Sequence, residues 1–329
     1  MFGLILATAL LQGSPCPSVY CYPKIPVIAE VEPLAEESGF SEFLVTFPSP
    51  VQTGLPANDR VAAFYFLPRT PGPYPALPIL HALGSEKARL EKWVGRKFAQ
   101  RGFAALLLVL PHHMMRRADG GLWDAIRRGD ADAILATGQQ AVLDLRRALD
   151  WFDGRDEIAH DRMAVLGISL GAMVAAVALG VEDRLKAGVL ILGGGDPAHL
   201  VWSSFLARRF RRRLERQGLT QEVLRQRWAP IDPLSFAGGA RGKALYMVNA
   251  RWDCVIPRHS VERLWQALGR PKIDWLPGGH YTTFLFAPWI LSWAHRFLQD
   301  HLEGRPLEMP AKARAPVKKV PDSIYAPTP

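Results

Sequence analysis

Cysteine is scarce: Cys16, Cys21 and Cys254 are the only three in 329 residues, and no two form a Cys-x-x-Cys pair. So small and scattered a set excludes a disulfide-built scaffold and offers no zinc motif. No run of about 18 apolar residues occurs, which excludes a conventional transmembrane helix. No internal repeat is visible. Acidic residues are short as well, 31 against 40 Lys and Arg, but the shortage is local. Residues 200–230 hold eight Arg and two Glu, residues 305–329 hold five basic and two acidic groups, and the remainder is balanced. A balanced body does not make a general nucleic-acid-binding surface. With 49% hydrophobic and 22% charged residues the composition is that of a globular protein, not of a disordered chain.

Residues 2–11 are apolar in the manner of a signal-peptide core, yet no Lys or Arg precedes them and no clear cleavage site follows. Residues 1–25 therefore read either as a leader or anchor or as a buried N-terminal segment, and both cytoplasmic and exported locations stay open. From there to residue 303 short β-rich runs alternate with helical patterns, the signature of a mostly parallel sheet with helices on both faces. Eight strands are expected, at 43–47, 61–67, 76–80, 103–110, 163–166, 187–192, 244–248 and 273–276, the first two as an antiparallel edge. A helix is expected from about Ser85, because Leu90, Trp93, Val94 and Phe98 recur at helical spacing before Gly102. A long helix carries Val142, Leu145, Leu149 and Phe152 on one stripe, and residues 172–179 are apolar all round, as in a buried helix. Residues 197–239 interrupt the alternation with a basic helical insertion, and residues 304–329, rich in Pro, Ala and Lys, read as an extended tail.

Residues 167–171 read GISLG, the G-x-S-x-G pattern of a nucleophile elbow, between an apolar strand and an apolar helix. The turn is so tight that side chains two before and two after the serine would collide with backbone, which is why Gly167 and Gly171 flank Ser169. A serine hydroxyl needs a base to take its proton, usually a histidine oriented by a carboxylate. Of nine histidines, His280 in LPGGHYTTF follows the last strand, where Gly278 and Gly279 free the chain to swing the imidazole over the sheet edge. Asp253, after the seventh expected strand, meets the demand for the carboxylate, and the order Ser169, Asp253, His280 is that of the fold's triad. Asp196 in GGGDP is the rival acid, although an Asp before Pro197 also reads as a helix N-cap. Backbone N–H groups of Leu170 and, in the loop HALG at 81–84, of Leu83 are the candidate oxyanion donors. His81, His112 and His113 lie near the same sheet edge and read as pocket lining rather than metal ligands.

On GISLG, the Asp253 segment and the Gly-Gly-His at 278–280, residues 40–300 resemble the α/β-hydrolase superfamily, and within it the dienelactone-hydrolase and acetyl-xylan-esterase-like esterases. The resemblance implies an α/β-hydrolase fold with a helical lid insertion at 197–239 and cofactor-free ester hydrolysis through an acyl-enzyme. One departure is Ala82 in HALG, where many relatives carry His-Gly; a dienelactone-type Cys is ruled out by Ser169. The expected substrate is a small-molecule ester. Peptide or thioester hydrolysis would use the same groups, and the alternative of another class is a non-catalytic protein that binds a lipid or partner through the insertion. Within that insertion Trp202, Phe205, Leu206, Phe210 and Leu214 fall at spacings expected of one basic amphipathic helix. Two expectations attach to it: Trp202, Phe205 and Phe210 roof the acyl pocket, and the helix settles peripherally on anionic membrane surfaces. The sequence carries no signal for oligomeric state.

Overall fold

The computed structural model describes residues 18–118 and 121–303. The apolar stretch at 2–11, Cys16 and the tail at 304–329 lie outside the described residues. The described chain is built on one nine-stranded sheet, ordered β1-β2-β3-β5-β4-β6-β7-β8-β9. The strands are β1 (Glu30–Glu36), β2 (Phe40–Pro48), β3 (Arg60–Pro68), β4 (Tyr74–Leu80), β5 (Ala104–Leu108), β6 (Ile158–Ile168), β7 (Leu185–Ile191), β8 (Ala244–Ala250) and β9 (Lys272–Leu276). The first three pair antiparallel, β3 meets β5 antiparallel, and the remaining pairings are parallel.

The count is nine rather than the eight expected. The additional strand, β1, has all seven residues exposed. It is held by backbone pairing to β2 with an irregularity at Pro33, so it lacks the apolar alternation that marks a strand in sequence. Its glutamates and Pro33 suit a sheet edge that must not recruit another strand.

Ten α-helices are described: α1 (Arg89–Ala99), α2 (Leu122–Arg128), α3 (Ala131–Asp153), α4 (Leu170–Val181), α5 (Pro197–Ser203), α6 (Arg208–Arg216), α7 (Gln221–Arg227), α8 (Pro233–Ala240), α9 (Arg258–Ala267) and α10 (Ala287–Leu302). Successive strand residues point to opposite faces, so the fully apolar inner strands feed two cores. In β6, Met163 and Val165 join α3, α4, α8 and α9 on one face, while Ala164, Leu166 and Ile168 join α1 and α10 on the other. Each Leu, Val or Phe so buried contributes roughly 1.5–3 kcal/mol.

Helix α1 starts at Arg89, four residues later than expected, because residues 81–85 are used as a loop over the sheet edge. The insertion differs more. The continuous helix expected from Trp202 is broken: α5 stops at Ser203, a turn follows, and α6 begins at Arg208. Its apolar residues part company there. Phe210 and Leu214 are buried in a small third core with Trp228 and Leu224, whereas Phe205 is 72% exposed. The last insertion helix, α8, is a core element packed on α4, so close that a Cβ on Gly180 would lie 2.1 Å from the Phe236 carbonyl oxygen.

Glu182, at the end of α4, ties that helix to α3. Its carboxylate accepts from Arg146 Nε at 3.1 Å and from Arg184 at 2.7 and 2.9 Å, and it is buried. Burial alone would raise its pKa, but the hydrogen bonds and charges of Arg184 and Arg146 outweigh that and lower it from 4.5 to about 2. A carboxyl depressed by folding stabilises the native state fully above its unfolded pKa and loses that contribution as pH falls through the folded one. Glu182→Gln should therefore destabilise the protein at pH 7 by about 3 kcal/mol, because Arg146 and Arg184 lose the buried carboxylate they share, although Arg184 keeps Asp150 and Asp153. In denaturant titrations the difference from wild type should shrink between pH 4.5 and 2; a difference that is absent at pH 7, or that grows on acidification, contradicts this role.

Candidate active site

Ser169 occupies the turn between β6 and α4 at φ 53°, ψ −112°, a conformation L residues rarely adopt. Backbone proximity imposes it. A Cβ on Gly171 would lie 2.3 Å from the Leu80 carbonyl oxygen, and one on Gly167 2.3 Å from the Gly171 carbonyl oxygen. Only glycine fits either position, as the spacing of the motif requires. The Ser169 N–H is anchored to the Ile191 carbonyl of β7 at 2.8 Å.

Two loops at the same sheet edge bring the partners. Arg251 N–H donates to Leu276 O at 2.9 Å and Trp252 N–H to Gly278 O at 3.0 Å, stitching the loop after β8 to the loop after β9. Gly278, at φ 142°, allows the second loop to leave the strand. His280 Nε2 lies 2.9 Å from Ser169 Oγ, and His280 Nδ1 lies 2.7 Å from Asp253 Oδ2. Asp253 is held in turn: its Oδ1 accepts the N–H groups of Val255 and Ile256, both at 2.8 Å, leaving Oδ2 for the imidazole. With a carboxylate on Nδ1 the proton resides there, and Nε2 presents a lone pair to the Ser169 hydroxyl. All three side chains are buried beside a cavity of about 720 Å³ that Ser169 and His280 line with Leu83, Leu90, Glu91, Val255, Tyr281 and Phe284.

Leu170 opens α4, and its N–H is one of the orphan donors of a helix start. Leu83 forms part of the cavity wall and is 44% exposed. The N–H before it, that of Ala82, is 3.4 Å from Glu91 Oε1, which also accepts the Ser85 hydroxyl at 2.6 Å. That leaves the Leu83 N–H as the next donor of the loop. Ala82 has no positive φ, so the absent glycine costs this loop nothing.

The remaining sequence candidates lie elsewhere. His81 is fully buried rather than pocket-lining: Nδ1–H donates to Ala82 O at 2.9 Å and Nε2 accepts the Leu110 N–H at 3.0 Å. Burial, assisted by the charges of His113 and Arg116, lowers its pKa to about 3, so it braces the 81–84 loop as a neutral ring. His113 packs edge-on against His81 at 4.8 Å. His112 donates its N–H to Asn58 Oδ1 and borders a separate cavity with Arg117 and Trp123. Neither lines the Ser169 cavity, because Arg116, paired with Asp144 in the interior, pulls the 110–116 loop inward. Trp202, Phe205 and Phe210 do not line that cavity either, since the break in the expected helix turns Phe205 outward and sinks Phe210 against Trp228.

Asp196 is the N-cap of α5, accepting the His199 N–H at 3.0 Å, and its carboxylate is paired with Arg225 and Arg263. It makes no contact with His280. Among the described residues no three His, Cys, Asp or Glu side chains converge as a metal site requires. Sequence reading missed Leu90 and Glu91, which reach the cavity only through tertiary packing; Val255, Tyr281 and Phe284 lie within four residues of Asp253 or His280 and were legible as their neighbours.

No protein-family model matches the chain. In sequence it is 29% identical over 253 residues to an uncharacterized protein of Mycobacterium tuberculosis, the match covering 75% of this chain and 58% of that protein. The chain thus spans less than two thirds of the length of the curated relatives it matches. Among solved structures, an acetyl xylan esterase from a Paenibacillus species superposes with a TM-score of 0.64 at 19% identity, over 82% of this chain and 89% of that one. Acetyl xylan esterase 1 from a Thermoanaerobacterium species gives the same TM-score, 0.64, at 20% identity, over 82% and 88%. The chain has the α/β-hydrolase fold. In that fold the edge where β6 meets α4 and the loops after β8 and β9 converge on one point, as they do at Ser169.

The elbow yields a direct test. Gly171→Ala places a methyl group against the Leu80 and His81 carbonyl oxygens, and backbone cannot retreat as a side-chain tip can. It should destabilise the protein by about 3 kcal/mol or abolish soluble expression. A Gly171→Ala protein with wild-type melting behaviour contradicts the close approach.

Proposed function

We propose that the protein is a serine hydrolase of carboxylic esters. The observation that carries this reading is the hydrogen-bonded line from Ser169 Oγ through His280 to Asp253 at the wall of an open cavity. Esterase names among the structural neighbours support the substrate class. Ser169 Oγ attacks the acyl carbonyl as its proton passes to His280 Nε2. The imidazolium so formed keeps its Nδ1–H on Asp253. The N–H groups of Leu170 and Leu83 take the developing oxyanion. His280 returns the proton to the departing alcohol, and water then attacks the acyl-enzyme with the same base.

Ser169→Ala should remove turnover while leaving the fold intact, because the hydroxyl and its base act as a unit. Asp253→Asn should lower kcat by about 10³–10⁴-fold by leaving the imidazole in the wrong tautomer. Asp196→Asn should instead spare kcat and cost about 2 kcal/mol of stability, through weakened hydrogen bonds to arginine. Steady-state kinetics and denaturant melts on the three variants check this; a folded, fully active Ser169→Ala protein, or a kcat loss confined to Asp196→Asn, overturns the assignment.

The acyl group is short in this reading. Leu90 and Phe284 also wall a second, wholly apolar cavity of about 30 Å³, reaching between α1 and α10 past Ile168 and Ile290. Leu90 and Phe284 separate it from the Ser169 cavity, so a long acyl chain cannot extend into it. Across p-nitrophenyl esters from acetate to palmitate, kcat/KM should peak at the short end, and Phe284→Ala should move the peak to longer chains by joining the two cavities. A wild-type optimum at palmitate, or an unmoved optimum in Phe284→Ala, contradicts it.

A further inference from the structure

The broken insertion helix leaves a surface that ester hydrolysis does not require. At the turn between α5 and α6, Phe205 is 72% and Leu206 58% exposed. Large apolar side chains this exposed, side by side at a turn, forgo the burial that normally holds such residues. The helix that follows is anchored by its inner side, where Phe210 stacks on Trp228 and Leu214 is fully buried. Its outer side presents Arg208, Arg209, Arg212 and Arg216, all exposed. The ion pair of this helix engages Arg211 with Glu215; the four outer arginines have no carboxylate partner among the described residues. Arg208 lies over the Phe205 ring at 4.9 Å, joining the apolar and cationic parts of the patch.

The patch adjoins the candidate active site. Ser204 Oγ is 3.5 Å from the Cys254 carbonyl oxygen, and Trp252, 66% exposed, lies on that same loop beside Asp253. Tyr281, 67% exposed, follows His280.

We propose that this patch docks the protein on an anionic lipid bilayer, with Phe205 and Leu206 entering the interface and Arg208, Arg209, Arg212 and Arg216 meeting headgroup phosphates. The pairing of chemistries selects the occupant. Unpaired guanidinium groups suit any polyanion, but a protruding leucine and phenylalanine gain most where charged headgroups lie immediately above hydrocarbon. Nucleic acid offers Leu206 nothing comparable, and the charge outside the basic segments is balanced. The inference concerns binding and stands whether or not Ser169 is a nucleophile.

The test is co-sedimentation of the full chain with vesicles of phosphatidylcholine alone or with about 30% phosphatidylserine, at about 0.1 and 0.5 M salt, between which the screening length falls about twofold. Wild type should bind the phosphatidylserine vesicles at low salt, leave them at high salt, and ignore phosphatidylcholine. Phe205→Ser with Leu206→Ser, and separately Arg208→Gln with Arg209→Gln and Arg212→Gln, should each weaken partitioning at least about tenfold. Every substituted side chain is exposed, so both variants should keep wild-type melting curves and wild-type turnover of a soluble ester. Equal binding to both vesicle types overturns the proposal. So does undiminished binding by both variants, which would move the contact to the terminal segments, and so does capture by duplex DNA with no vesicle binding.

Discussion

The contact on which the site depends is one of backbone with backbone. Where β6 turns into α4, the Gly171 Cα faces the Leu80 carbonyl of β4 so closely that one carbon more would sit 2.3 Å from that oxygen. The approach allows α4 to start within one residue of the strand, and it forces Ser169 to φ 53°. Strain at such a residue persists only where surrounding packing over-determines it. Here the packing is the apolar helix α4, buried between the sheet, α3 and α8, with Glu182 and its two arginines fixing its far end. The turn thus holds a hydroxyl proud of the sheet at the expense of a few kcal/mol recovered from the surrounding core.

Around that fixed point the polar groups are arranged so that each has one available partner. Asp253 offers a single free oxygen because two backbone N–H groups occupy the other. His280 offers a lone pair because its other nitrogen faces the carboxylate. His81 contributes without entering the cavity, joining the 81–84 loop to the end of β5 as a ring kept neutral by burial. Asp196, buried at the same edge, is committed to a helix start and two guanidinium groups. Two aspartates of similar sequence context are therefore separated by what surrounds them.

Much of this was legible in sequence because it rests on local steric rules. Gly167 and Gly171 mark the elbow, Gly278 marks the release of the last loop, and inner strands covered on both faces read as unbroken apolar runs. The structure places His280 within hydrogen-bond distance of both Ser169 and Asp253. What was illegible depends on tertiary context. Strand β1 buries no side chain and so has no periodicity to detect. The insertion shows the opposite failure: Trp202, Phe205, Phe210 and Leu214 keep perfect helical spacing, yet the chain turns at Ser204 and sends Phe205 to solvent. The Leu90 wall of the cavity comes from a helix distant in sequence and carries no motif.

The account stands on Ser169 being an activated nucleophile rather than a strained turn residue. The most direct measurement is reaction with a fluorophosphonate, followed by peptide mass mapping and by the rate of labelling in wild type and in His280→Ala. A single adduct on the peptide containing Ser169, formed orders of magnitude faster in wild type than in the variant, is the predicted result. Labelling at another residue, or an equal rate without His280, would contradict it.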